Sequence, residues 1–144
     1  MQLLLEFDGG SRGNPGPAGF GAVVRSADDN TPLATHGRFI GNATNNQAEY
    51  RGLIHALATA ADLGGTRVLV RGDSELVIKQ MKGQYRVKNA KLKPLYEQAV
   101  AAAGRFEKVM YEHKLRDQNK LADRLANLAM DRRGDVDDVD DADE

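Results

Sequence analysis

The chain has neither cysteine nor tryptophan among its 144 residues. Without cysteine there can be no disulfide, no thiolate zinc site and no cysteine nucleophile, a usage that suits a reducing compartment. Long apolar runs are missing as well. The opening Met1-Gln2-Leu3-Leu4-Leu5-Glu6 meets an acid too early for the apolar part of a signal peptide. No stretch approaches the roughly 18 apolar residues that a membrane span needs. A soluble, cytoplasmic protein is therefore expected, with no membrane partner. What is present, 41% hydrophobic and 28% charged residues, suffices for one domain with its own core and is too little for two large ones.

The formal net charge of −1 argues, taken alone, against a polyanionic partner. It averages two unlike parts. The last ten residues, from Asp135 to Glu144, hold seven acids and no base, so residues 1–134 carry all 20 bases and 14 acids, a net of +6. The bases are also grouped: Lys79, Lys82, Arg86, Lys88, Lys91 and Lys93 fall between Glu75 and Glu97 with no acid among them. A solvated helix face would explain such a run, and so would a polyanion-binding surface. Beyond Gly134 two valines and an alanine stand against seven acids, too little apolar matter to offset ordering, so a disordered tail or linker is expected over 133–144.

Alternating residues predict a strand over 2–8, with Asp8 at its end. Gly9 to Pro17 is turn chemistry, and further strands are expected over 18–26 and near 33–40, joined through Asp28-Asp29-Asn30. Three strands with short joins make an antiparallel meander. A helix follows, capped by Thr44 or Asn45 and stopped by Gly64-Gly65; a short strand over 66–72 pairs in parallel after this crossover. A short helix capped by Asp73-Ser74 runs to Met81, a second spans 89–103, a last strand 105–113 and a last helix 119–132. The order β-β-β-α-β-α-α-β-α predicts an α/β fold, a mixed five-stranded sheet with helices on its faces, in one domain over 1–132.

Four acids stand where ligands meet open α/β sheets. Asp8 and Asp73 end strands that are expected to be central neighbours, Glu49 lies one turn into the first helix and Asp123 one turn into the last. Each has an ordinary explanation: a turn residue, an N-cap, a charge at the positive end of a helix. Glu49 is less ordinary, because it shares the packed helix face with Gly52, Leu53 and Ala56. Carboxylates gathered in one crevice repel each other and persist only if protons or cations compensate them. An all-oxygen donor set favours a hard ion such as Mg²⁺ or Mn²⁺. Two such ions about 3.5–4 Å apart suit in-line phosphoryl displacement by water.

Four segments, in order, carry a resemblance: Asp8-Gly9-Gly10-Ser11-Arg12-Gly13-Asn14-Pro15-Gly16-Pro17, Thr44-Asn45-Asn46-Gln47-Ala48-Glu49, Asp73-Ser74, and Asn119-x-x-x-Asp123-x-x-Ala126. The sequence resembles the type 1 ribonucleases H, which cut the RNA strand of RNA–DNA hybrids, from Leu3 to about Met130. The resemblance implies the ribonuclease H-like fold, a two-metal-ion endoribonuclease that is largely indifferent to sequence, and products bearing a 5′-phosphate and a 3′-hydroxyl. It implies that Asp8, Glu49, Asp73 and Asp123 are both the catalytic and the metal-binding set, with Mg²⁺ as cofactor and Mn²⁺ as an alternative. Asn14, Thr44, Asn45 and Asn46 are expected to face the hybrid, where small amides can reach phosphates and 2′-hydroxyls.

Two departures qualify the resemblance. Many relatives insert a basic protrusion after the helix that follows Asp73; here Gln84-Tyr85-Arg86-Val87-Lys88 leads straight onward, as in compact bacterial and archaeal forms. Binding then relies on the in-line bases, with Lys88 and Asn89 as phosphate contacts. Relatives often carry a mobile-loop histidine; here the loop before Asn119 is short, His113 is expected to end a strand, and His113 and Arg116 are the candidate auxiliaries. His36 and His55 fall outside every motif. The rival functions are a DNA-directed nuclease of the same superfamily, resolvase- or integrase-like, and a non-catalytic hybrid-binding module. A monomeric catalytic domain is expected, with a second domain beyond the acidic tail if the chain is part of a longer one.

Overall fold

The computed structural model describes residues 1–137. Its elements are β1 (Gln2–Ser11), β2 (Gly16–Ser26), β3 (Pro32–Ala43), α1 (Asn45–Asp62), β4 (Arg67–Gly72), α2 (Glu75–Met81), α3 (Lys93–Ala103), β5 (Lys108–His113) and α4 (Lys120–Arg132), with one 3₁₀ turn at Arg116–Gln118. The sheet order is β3-β2-β1-β4-β5, antiparallel across β3-β2-β1 and parallel across β1-β4-β5. The expected mixed five-stranded sheet is thus the one found.

β1 is the spine. Leu3, Leu5 and Phe7 point into the main core with Val68 and Val70 of β4, against the buried face of α1 (Tyr50, Leu53, Ala56, Leu57 and Ala60). α1 starts where Thr44 and Gln47 form a reciprocal cap: the Thr44 hydroxyl accepts from the Gln47 amide, and the Gln47 side chain accepts from the Thr44 amide. On the opposite face α4 lies across β2 and β3. It approaches so closely that a Cβ on Gly21 would stand 2.1 Å from the Ala122 carbonyl oxygen, so glycine is required there. No helix among the described residues is long and apolar enough to cross a membrane.

Three expectations are corrected. β1 does not end at Asp8: it continues to Ser11 in its hairpin with β2, and only its parallel ladder to β4 stops beside Asp8, at the pair Phe7–Gly72. α3 begins at Lys93 rather than Asn89, because the Asn89 side chain accepts from the Lys91 and Leu92 amides and makes a turn that precedes the helix. The expected disorder beyond Gly134 fails for residues 135–137. Val136 is 1% exposed, packs with Val23, Ala122 and Leu125, and exchanges two backbone hydrogen bonds with Gly37 of β3, at 2.6 and 2.9 Å. Arg38 pairs with Asp137 at 2.5 Å and with Asp135 at 3.8 Å. A single valine, placed between acids that a β3 arginine receives, is enough to seat the segment. The rest of the predicted tail, 138–144, lies outside the described residues.

Candidate active site

The parallel strands deliver Asp8 and Asp73 to the same edge of the sheet, since Phe7 and Gly72 are the last paired residues before them. α1 brings Glu49 to the same point. The approach requires Gly9, where a Cβ would lie 2.4 Å from the Ala48 carbonyl carbon and the Glu49 nitrogen. One oxygen from each of Asp8, Glu49 and Asp73 falls within 4.8 Å of the others, as a divalent ion would require. Asp123 reaches Asp8 from the first turn of α4 and lines the same cleft, of about 400 Å³, with Ser11, Arg12, Asn45 and Arg116.

Asp8 and Glu49 are each only 5% exposed. Burial, then the neighbouring charge of Glu49, pushes the Asp8 carboxyl far above its ordinary range, with Asp73 and Asp123 adding to the effect. Burial raises Glu49 as well, against the lowering influence of its hydrogen bonds from Asp8 and the Gly9 amide. The physical content is that these groups cannot all be ionised together without a counter-charge. Glu49 Oε1 accepts from the Gly9 amide, while Glu49 Oε2 is buried without a partner. An orphaned carboxylate oxygen aimed into an all-oxygen cluster fits a hard divalent cation.

The predicted contact residues divide. Asn14, Thr44, Asn46 and Asn89 come together with Gln47, Lys91 and Leu92 around a separate polar hollow of about 230 Å³. Asn45 lies in the catalytic cleft instead. The two asparagines are partly engaged: Asn14 Oδ1 accepts from the Asn45 amide at 3.0 Å, and Asn45 Oδ1 accepts from the Ser11 amide at 2.7 Å. Lys88 is exposed and lines neither hollow. Arg116 is 79% exposed, with Nε 3.7 Å from Asp73 Oδ2. His113 ends β5 as expected, and its Nε2 stands 3.2 Å from the Asp73 carbonyl oxygen. His36 and His55, outside every motif, are half-buried and bonded to each other at 2.8 Å.

Sequence reasoning assigned no role to two residues here. Arg12 lines the cleft and reaches across to Asp131 and Asn127 of α4; its place in the glycine-rich turn offered no hint of that span. Asn119 is 2% exposed and bonded to β1. Its signal was available, an asparagine at a helix start, but it reads first as a cap.

The family model described as reverse transcriptase-like matches residues 6–129. A bifunctional protein of Mycobacterium tuberculosis is 55% identical over 131 residues, which is 91% of this chain but 36% of that protein; the chain spans about a third of the length of this relative. The solved N-terminal RNase H domain of that mycobacterial protein, fused to maltose binding protein, superposes with a TM-score of 0.89 at 54% identity, covering 91% of this chain and 94% of the other. The ribonuclease HI of Halobacterium salinarum is 46% identical over 125 residues, 87% of this chain and 62% of its own. The structure of LC11-RNase H1 in complex with RNA/DNA hybrid gives a TM-score of 0.86 at 38% identity, covering 91% and 98%. By sequence and by fold, the chain belongs to the type 1 ribonuclease H family.

Proposed function

We propose that this chain is an endoribonuclease that hydrolyses the RNA strand of RNA–DNA hybrids, with Asp8, Glu49, Asp73 and Asp123 holding Mg²⁺ and with Mn²⁺ able to replace it. The observation that carries the reading is the trio of carboxylate oxygens from Asp8, Glu49 and Asp73 within 4.8 Å, the first two buried and the third half-buried, at a sheet edge beside a polar cleft. The hybrid held by LC11-RNase H1, 38% identical, supports the substrate class. When bound, divalent ions supply a nucleophile at neutral pH and stabilise charge on the scissile phosphate.

The chain's own residues do the rest. Glu49 holds the Asp8 carboxyl in a desolvated corner, Asp73 faces it as a like charge, and Asp123 closes it from α4. The hollow of Asn14, Thr44, Asn46, Asn89 and Lys91 offers amide, hydroxyl and ammonium donors, suited to a phosphate of the bound duplex. Backbone and 2′-hydroxyl contacts carry little base information, so cutting is largely independent of sequence. Arg116, beside Asp73, and His113, at the end of β5, are the auxiliary groups at the cleft rim. Residues 1–132 form the catalytic unit in this reading.

The test compares hybrid, duplex DNA and duplex RNA of one sequence, with and without Mg²⁺. Cleavage confined to the RNA strand of the hybrid is expected. Preference for duplex DNA overturns the assignment, and Asp73→Asn should abolish cleavage while leaving hybrid binding measurable. Hybrid binding by the wild type without any cleavage would favour the binding-module alternative.

A further inference from the structure

We propose that Asn119 is a positioning residue that fixes Asp123 against Asp8 and so sets the affinity of the carboxylate site for a divalent cation. The inference rests on reading those acids as ligands. Asn119 occupies the N-cap of α4, where an asparagine ordinarily turns its side-chain oxygen onto the free amides of the helix. No such bond is made. The side chain faces inward, 2% exposed, and its Nδ2 donates to the Phe7 carbonyl at 2.9 Å. Its own carbonyl accepts from the Asp123 amide at 3.1 Å. One residue therefore holds the peptide that enters Asp8 and the amide of Asp123.

Both features oppose folding on their own. A cap is forgone, and Asn119 Oδ1 is buried with no partner, one of two such side-chain oxygens among the described residues. The other is Glu49 Oε2, and Glu49 Oε1 accepts from the Gly9 amide, in the peptide that leaves Asp8. Asp8 is thus held at both of its peptide groups, by Asn119 from α4 and by Glu49 from α1. Apolar packing of Ala122 and Leu125 sets how near α4 lies to the sheet but, being non-directional, not the register of its first turn. A directed hydrogen bond sets the register, and with it the contact that the Asp123 carboxyl makes with Asp8.

The experiment is an NMR titration of the whole chain with Mg²⁺ alone, following the Gly9 amide. Asn119→Ala is expected to weaken Mg²⁺ about tenfold, the lower end of what losing a partner of a metal ligand costs. At saturating Mg²⁺ the KM for hybrid should stay within about twofold of wild type, while kcat falls at sub-saturating Mg²⁺. On an Asp123→Ala background, where nothing is left to position, Asn119→Ala should shift Mg²⁺ affinity by less than about twofold. Asn119→Ser, smaller but still a donor, should weaken binding by an intermediate factor and carries the test if the alanine variant does not fold. Wild-type Mg²⁺ affinity in both variants, or an undiminished effect on the Asp123→Ala background, overturns the proposal. A wild type that shows these dependences yet leaves the hybrid intact would sink the ribonuclease reading and leave this one standing.

Discussion

The docked segment Asp135–Asp137 can be tested through Val136, because its contribution is small and bounded. Burying the valine among Val23, Ala122 and Leu125 contributes about 2 kcal/mol. The two backbone bonds with Gly37 add about 1 kcal/mol each. The Arg38 pairs add about 0.5 kcal/mol, since Asp135 and Asp137 remain largely exposed. Ordering three residues costs about 1–1.5 kcal/mol apiece, which leaves a net of about 1 kcal/mol. Val136→Asp should therefore cost about that much and no more: the segment can let go, so the new carboxylate need not stay buried. For a chain of this size the loss appears as a fall in Tm of about 3–5 °C. Thermal unfolding measures it, and hydrogen exchange at the Gly37 amide, which donates to the Val136 carbonyl, locates it. An unchanged Tm with unchanged Gly37 protection refutes the docking. A loss above about 4 kcal/mol refutes the claim that the segment detaches, because a trapped carboxylate would then be the cause.

Three further outcomes are expected. Gly9→Ala places a Cβ 2.4 Å from the backbone at Ala48 and Glu49, so α1 must shift; stability should fall by about 1–3 kcal/mol and hybrid cleavage by more than tenfold, and wild-type activity in this variant would refute the close approach. Burial, then His36, then Arg38 push His55 down to about 4, and burial with Arg38 lowers His36, while Asp135 and Asp137 pull the other way on His55. A depressed histidine stabilises above its unfolded value near 6.5 and loses that contribution as pH falls toward 4, here about 1–2 kcal/mol after discounting for partial exposure. The raised carboxylates of the site oppose this trend, so the measurement is the difference in Tm between pH 7 and pH 5 for wild type against His55→Gln; equal differences would exclude the pair as the cause. Lys88→Ala, on the Asp73→Asn background expected to prevent turnover, should reduce the slope of log Kd for hybrid against log salt by about 1 if Lys88 touches a phosphate, and leave it unchanged otherwise.

The parts of this molecule that could be read from the sequence are those whose cause is local. The period-2 strands, the Thr44–Gln47 cap and the glycine-rich turns specify themselves within a few residues. The carboxylates were legible for a different reason: acid residues at strand ends and on a packed helix face need a compensating charge wherever the chain folds. What escaped depends on surfaces made elsewhere. Val136 sits in an acidic run, and only the groove formed by Gly37 and Leu125 gives it somewhere to go. Asn119 has a sufficient local reading as a cap, and only the carbonyl of Phe7 beside Asp8 makes the other bond available. Periodicity places Asn89 inside a helix, because the turn that its side chain closes with Lys91 and Leu92 leaves no periodic signal.

The charge distribution follows the same logic at larger scale. Residues 1–134 carry +6, yet their densest group of acids lies in the cleft where a polyanion would have to enter. Bases elsewhere can draw a nucleic acid toward the domain, but they cannot relieve phosphate against carboxylate at the point of contact, where the low dielectric makes repulsion strongest. Arg116, with Nε 3.7 Å from Asp73 Oδ2, pulls Glu49 down but is 79% exposed, too exposed to neutralise the buried Asp8 and Glu49. A site so arranged repels a polyanion unless cations stand between the two sets of oxygens, so in the proposed reaction the burial that makes the cluster costly in the free protein would make substrate and metal dependent on each other. By linkage, hybrid should tighten Mg²⁺ binding by the factor by which Mg²⁺ tightens the hybrid. In an Asp73→Asn variant, expected to bind hybrid without cutting it, a coupling factor near one would show that the cations are held somewhere other than in this cleft.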